Sequence, residues 1–159
     1  AKIAELPDGR TTVYGVVSIG QAVGILPFVN KDHVLLVRQY RYVFAENHRW
    51  EIPTGGLYPN EEIITGALRE LQEECGYTAG RLEWVSTFYT SKSICHETAH
   101  LFLGYDLTPA ALPPDETEFL ETAIFPFSEA LDMVNRSEIR DGMTVIAILH
   151  AARLRAGGK

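Results

Sequence analysis

The run that most constrains this chain is residues 55–77, GGLYPNEEIITGALRELQEECGY, which holds five glutamates and one arginine in a fixed register. From Pro59-Asn60 onward the pattern predicts a helix. Asn60 is read as its N-cap, Glu61 and Glu62 fall in the positive first turn, and Gly76 is placed to stop it as a C′ residue. Ile63, Ile64, Ala67, Leu68, Leu71 and Cys75 recur at helical spacing and give the helix a face to bury. The remainder of its surface is largely acidic.

Glu73 and Glu74 follow Glu70 by three and four residues, so both are its neighbours on the helix surface, roughly 5–6 Å away at Cβ. Three carboxylates so close repel one another. A run of acids is commonly just a solvated face, but a stabilising surface helix would intersperse lysines, and the only basic residue here is Arg69, beside the cluster. The preceding Thr54-Gly55-Gly56 turn lets backbone approach a ligand closely. Oxygen ligands at this spacing suit a hard divalent cation, Mg²⁺ or Mn²⁺, which keeps positions open for water and substrate phosphates.

With these residues in view, the stretch resembles the Nudix box, G-x5-E-x7-R-E-U-x-E-E-x-G-U with U a bulky aliphatic residue. Gly55, Glu61, Arg69, Glu70, Leu71, Glu73, Glu74 and Gly76 match it; Tyr77 stands at the last U, a packing position. The resemblance extends along most of the chain toward the ADP-ribose pyrophosphatase-like branch, through LVRQYRY at residues 36–42, WEIPTGGL at 50–57, TSxxxxxE at 90–97 and ETEFLETAIFPFSEALDMV at 116–134. Two departures are present: Ser91-Lys92-Ser93 stands where the branch usually has Ser-Pro-Gly, and Pro53-Thr54-Gly55 where it has Pro-Ala-Gly.

The resemblance implies an α/β protein, a Nudix-like α/β/α sandwich with mixed β-sheets, spanning residues 1–159 as one domain. It implies divalent-metal-dependent hydrolysis of the diphosphate linkage of a nucleoside diphosphate derivative, ADP-ribose or a related sugar nucleotide first, to a nucleoside monophosphate and a sugar phosphate. Nucleoside triphosphates, dinucleoside polyphosphates and GDP-sugars are the alternative substrates. Glu70 and Glu74 would ligate the metal, with Glu73 sharing the site and Gly55 offering backbone; Arg69 would orient the glutamates, and Glu61 would brace Arg69. Glu97 would act as general base or extra metal ligand from a mobile loop. Arg41, Trp50 and Glu51 would contact substrate, although Trp50 could equally fill the core beside Ile52, and Arg41 could pair with Glu46. The branch also implies a homodimer in which the N-terminal strands, about residues 1–20, cross to the partner.

Length and composition agree. The 159 residues, 46% hydrophobic, suffice for one domain with a proper core. No apolar run approaches a membrane span and no signal sequence opens the chain, so a soluble, cytoplasmic protein is expected. The chain opens on Ala1 rather than Met, as expected of a trimmed start or a missing disordered beginning. Cys75 and Cys95 form no disulfide framework. A net charge of −7 argues against a general nucleic-acid binder, while divalent cations could make the acidic cluster attractive to a diphosphate.

Outside the box, residues 6–9 (LPDG) read as a turn, 11–18, 22–27, 34–37, 82–89, 100–107 and 122–127 as strands, and 90–97 as a polar loop. Residues 113–116 (PPDE) read as a turn or linker. Ser128 is read as the cap of a helix to about Asn135, and residues 144–155 as a further helix. His96-Glu97-Thr98-Ala99-His100 matches the H-E-x-x-H pattern of zinc proteases, which works only on a helix; with His100 starting a strand, the two imidazoles would stand up to about 13 Å apart. A non-catalytic nucleotide-binding regulator is a third possibility, against which all the box carboxylates stand intact.

Overall fold

The computed structural model describes residues 1–116 and 120–157. Thr117, Glu118 and Phe119, part of the 116–134 run that carries the branch resemblance, lie outside the described residues, as do Gly158 and Lys159.

Strands β1 (Lys2–Glu5) and β2 (Thr11–Tyr14) form a hairpin whose turn is the Leu6-Pro7-Asp8-Gly9 signal, and among the described residues they pair only with each other. The chain then enters β3 (Val17–Asn30), 14 residues long, which joins the last two residues of the 11–18 run to the whole of 22–27, while the start of the 11–18 run is β2. One edge of β3 pairs in parallel with β7 (Cys95–Pro109). Its other edge takes β5 (Thr54–Gly56) at residues 22–24 and β4 (His33–Arg38) near residues 28–30, both antiparallel. β6 (Tyr77–Tyr89) and β8 (Glu121–Pro126) complete a mixed sheet of order β6-β7-β3-β4-β8 with β5 beside β3.

Helix α1 (Ile63–Cys75) covers one face of the sheet, packing Ala67 and Leu71 on Val23, Ile25 and Phe102. Helices α2 (Phe127–Asn135) and α3 (Gly142–Arg155) cover the other, over Leu26, Leu101, Leu103 and Ile52. The alternation of side chains along β3 and β7 divides the core into these two layers. The result is the expected α/β/α sandwich. Among the described residues no helix is long and apolar enough to cross a membrane.

Several local expectations are corrected. Asn60 is not the N-cap: with φ of 62° it forms a left-handed turn, and α1 begins at Ile63 after Glu62, which makes no side-chain cap bond. Glu61 and Glu62 therefore precede the first turn. Ile64 is 47% exposed, because the face of α1 turned to the sheet is filled instead by Gly66, Ala67, Glu70, Leu71 and Glu74. The loop read over 90–97 ends earlier, since pairing with β3 extends β7 back to Cys95 and carries Glu97 onto a strand. Ser128 caps nothing: α2 already starts at Phe127, whose N–H donates to Asp32 O, after an extended Pro126. α3 starts at Gly142, two residues before the expected Thr144, because the Asp141 carboxylate caps it by accepting from Thr144 N–H. Gly76 ends α1 as expected, left-handed at φ 76° with its N–H on Gln72 O.

Candidate active site

The box is built where α1 crosses β5. Between them, Glu61 N–H closes a turn onto Tyr58 O, and the Glu61 carboxylate accepts from Tyr58 N–H at 2.9 Å. That places Glu61 two turns from Arg69, which it grips with both oxygens at 2.7 and 2.9 Å. The remaining guanidinium donors reach Glu70 at 2.7 Å, Glu73 at 3.2 Å and Gly56 O at 3.0 Å. The Tyr58 ring lies against the guanidinium, 4.0 Å from its central carbon, a cation–π contact that the sequence did not signal. Bonding to Arg69 holds the Glu61 carboxyl below its usual range, while the Glu61 bond pushes Arg69 further up, so both are charged across neutral pH.

Glu70 and Glu74, four apart on α1, are both buried against β5. Glu74 accepts from Thr54 N–H at 3.1 Å, and the Glu70 carboxylate lies where a side chain on Gly55 would have to be. Two buried, all-oxygen acids against a strand that has given up its side chain form a donor set fitted to a hard cation. Among the described residues no three carboxylate, imidazole or thiol groups converge as a ready-made ligand set; Glu70 and Glu73 are drawn instead onto Arg69.

On the other side of Thr54 a cleft of about 400 Å³ opens. Arg41 lines it and binds Glu51 through two parallel bonds of 2.9 and 2.8 Å. Glu46, the partner considered from sequence, meets Arg41 only through backbone; its carboxylate holds Arg49 at 2.7 Å. Pairing with Glu51 raises the Arg41 pKa, and pairing with Arg49 lowers that of Glu46. Arg49, Arg140 and Asp141 also line the cleft and were not picked out from sequence. Arg140 and Asp141 come from the turn before α3, and only the packing of α3 on β3 and β7 brings them here. Arg140 donates its Nε to Ser137 O, and its charge reaches Glu46 across the cleft.

Thr54 is the junction, lining the cleft while its N–H holds Glu74. Gly55, Glu61, Arg69, Glu70 and Glu73 thus form one contacting group and Arg41 and Glu51 another, with Thr54 and Glu74 between them. Trp50 is not in the cleft: its ring meets Phe125 edge-on at 5.1 Å and lies beneath Arg38 at 4.7 Å. Glu97 is half-buried on β7 and accepts from Thr90 Oγ1 at 2.5 Å, and among the described residues it makes no hydrogen bond to the box.

The zinc pattern fails on geometry. His96 and His100 both lie on β7, four residues apart along a strand and so about 13 Å apart along its axis. His100 is instead a buried strand residue bonded to Thr87 Oγ1 at 2.9 Å and Gln21 Oε1 at 2.8 Å, its pKa lowered by burial.

Comparison with known proteins places these features together. A family model for the NUDIX domain matches residues 19–143. A methanol dehydrogenase activator of Bacillus methanolicus is 36% identical over 146 residues, covering 91% of this chain and 78% of that protein. An ADP-ribose pyrophosphatase of Bacillus subtilis (strain 168) gives the same identity over the same length, with the same coverage. The crystal structure of an ADP compounds hydrolase superposes with a TM-score of 0.85 at 25% identity, covering 98% of this chain and 84% of that one.

Proposed function

The chain belongs to the Nudix family and is a Nudix hydrolase, and from that premise we propose that it hydrolyses the diphosphate linkage of ADP-ribose or a closely related sugar nucleotide. The observation that carries this reading is the junction at Thr54, which joins buried box carboxylates to a cleft large enough for part of a nucleotide. The names of the relatives support the substrate class.

Glu70 and Glu74 would hold a divalent cation, Mg²⁺ or Mn²⁺, with Glu73 able to join them and Gly55 leaving room for them. When bound, the cation neutralises diphosphate charge and makes a coordinated water more acidic. Arg69, clamped by Glu61, fixes the direction of Glu70 and Glu73. Arg41 and Glu51 present donors and acceptors together, a combination suited to phosphate oxygens on one side and ribose hydroxyls on the other. Water attacks one phosphorus, the bridging P–O bond breaks, and a nucleoside monophosphate and a sugar phosphate leave. Glu97 would take the proton of the attacking water. Its present partner is the Thr90 hydroxyl, so in that role the Glu97 carboxylate, held on β7, exchanges this bond for one to the attacking water.

Nucleoside triphosphates or dinucleoside polyphosphates form the second reading, favoured by Arg140 and Arg49 in the cleft lining, whose guanidinium groups could take a further phosphate. We also propose a homodimer: among the described residues the β1–β2 hairpin pairs only with itself, and it exposes Ile3 and Val13, at 79% and 72%. Two free cysteines agree with a reducing compartment such as the cytoplasm.

The test is a panel of ADP-ribose, ADP- and GDP-sugars, dinucleoside polyphosphates and nucleoside triphosphates, assayed with Mg²⁺ or Mn²⁺ by coupled phosphate release. ADP-ribose should be cleaved efficiently, and Glu74→Gln should lose on the order of 100-fold in turnover while staying folded. Efficient cleavage of triphosphates with ADP-ribose ignored would overturn the substrate, and full activity in the variant would overturn the site.

A further inference from the structure

Residues 51–54 carry the site's two halves, Glu51 toward the cleft and Thr54 toward Glu74, yet ordinary sheet pairing holds only part of this segment. Glu51 exchanges backbone bonds with Val37 at 2.7 and 2.8 Å, and Pro53 O accepts from Ile25 N–H. Thr54 N–H goes to Glu74. Ile52, between them, is 1% exposed, and its N–H points away from Val37, where no strand lies beside it. An orphaned donor there would be costly.

It is not orphaned. Ile52 N–H donates at 3.0 Å to the hydroxyl oxygen of Thr144, a residue of α3 with no exposed surface. That hydroxyl in turn donates to the Asp141 carboxylate at 2.6 Å, and the same carboxylate oxygen accepts Thr144 N–H at 2.9 Å. Asp141 therefore does two things at once: it caps α3 and it fixes the Thr144 hydroxyl proton, leaving the oxygen lone pairs for Ile52.

We propose that Thr144, held by Asp141, is a positioning residue for the substrate cleft, standing in for a missing strand neighbour so that Glu51 can hold Arg41 in place. The proposal rests on the cleft being the substrate's. A threonine that only stabilised the fold would change the melting temperature when altered but leave the folded protein's substrate affinity alone. A positioning residue changes KM in the folded protein, because Glu51 and its grip on Arg41 shift with the segment.

The experiment compares wild type, Thr144→Val and Thr144→Ser by two measurements. Steady-state kinetics with Mg²⁺ use whichever panel compound the wild type cleaves fastest; Thr144→Val should raise KM by about tenfold, more than it changes kcat, and Thr144→Ser should restore both. Amide hydrogen exchange followed by NMR needs no turnover; Ile52 and Thr54 should exchange faster in Thr144→Val and at the wild-type rate in Thr144→Ser. A folded Thr144→Val with KM within about twofold of wild type, or with unchanged exchange at Ile52, overturns the proposal. If the wild type cleaves no compound of the panel, the substrate reading has failed separately, and exchange at Thr54 decides: acceleration supports positioning and its absence overturns it. Should Thr144→Val fail to fold, Asp141→Ala, which leaves the threonine but frees its hydroxyl proton, is read by exchange alone because Asp141 itself lines the cleft: faster exchange at Ile52 and Thr54 supports the proposal and wild-type rates overturn it.

Discussion

Gly55 and Glu70 share a space that admits no side chain at the glycine: a Cβ built there would lie 2.0 Å from the Glu70 carboxyl carbon and 2.1 and 2.3 Å from its oxygens. The φ of Gly55 is not in the left-handed region, so what demands glycine is the neighbour rather than the backbone. Gly55→Ala must therefore displace a buried carboxylate. The expected outcome is a loss of activity comparable to that of Glu74→Gln, with a rise in the Mn²⁺ concentration needed for half-maximal rate. Wild-type activation by Mn²⁺ in this variant would show that Glu70 can do its work from elsewhere.

Glu61 sets a pH dependence of stability. Its folded pKa lies below the ordinary carboxylate value of 4.5 because Arg69 binds the charged form. The stability it contributes is thus fully present above the unfolded value and is lost as pH falls through the lowered folded one. Glu61→Gln should melt below the wild type at pH 7, and the two melting curves should converge as the pH is taken below about 4. A constant gap between them across that range would mean that the ion pair is not what the variant removes.

Glu97→Gln tests the proton acceptor. Turnover should fall by about 100-fold or more with apparent substrate affinity little changed. Unchanged turnover would return the role to the box, where Glu73 is the most exposed of the carboxylates bound to Arg69.

The exposed hairpin predicts assembly. Light scattering at micromolar concentration should give twice the chain mass, and Val13→Asp should shift the protein toward monomer with a fall in activity. A wild type that scatters as a monomer would leave the hairpin without the proposed partner.

The box helix was legible because helical periodicity is local: Arg69, Glu70, Glu73 and Glu74 fall as their spacing requires, and Gly76 stops the helix. Its beginning was less so, since Pro59-Asn60 offers a cap in sequence but the chain spends Asn60 on a left-handed turn that frees Glu61 for Arg69 and Tyr58. The cleft was half legible. Arg41 and Glu51 stood inside resembling motifs, yet their mutual pairing depends on strand register, and the only carboxylate weighed for Arg41 was the nearer Glu46. Arg140, Asp141 and Thr144 carry no signal of their own, because their meeting with residues 51–54 is purely tertiary. Glu97 moved from loop to strand for the same reason: β7 is prolonged by pairing with the far end of β3, which no local pattern reveals.

The long parallel pairing of β3 with β7 has a consequence for how the molecule comes into being. Val17 meets Cys95 and Pro27 meets Gly104, with the entire box lying between them in sequence. As the chain leaves the ribosome, β3 and the acidic helix emerge well before the strand that must close the open edge of β3, and bridging so long a loop is slow. Until then Val23, Ile25 and the box carboxylates share an unfinished surface. The candidate site is therefore expected to mature late, after synthesis has passed residue 104, and a substitution in β7 that weakens this pairing would reduce the yield of folded enzyme before it altered any step of catalysis.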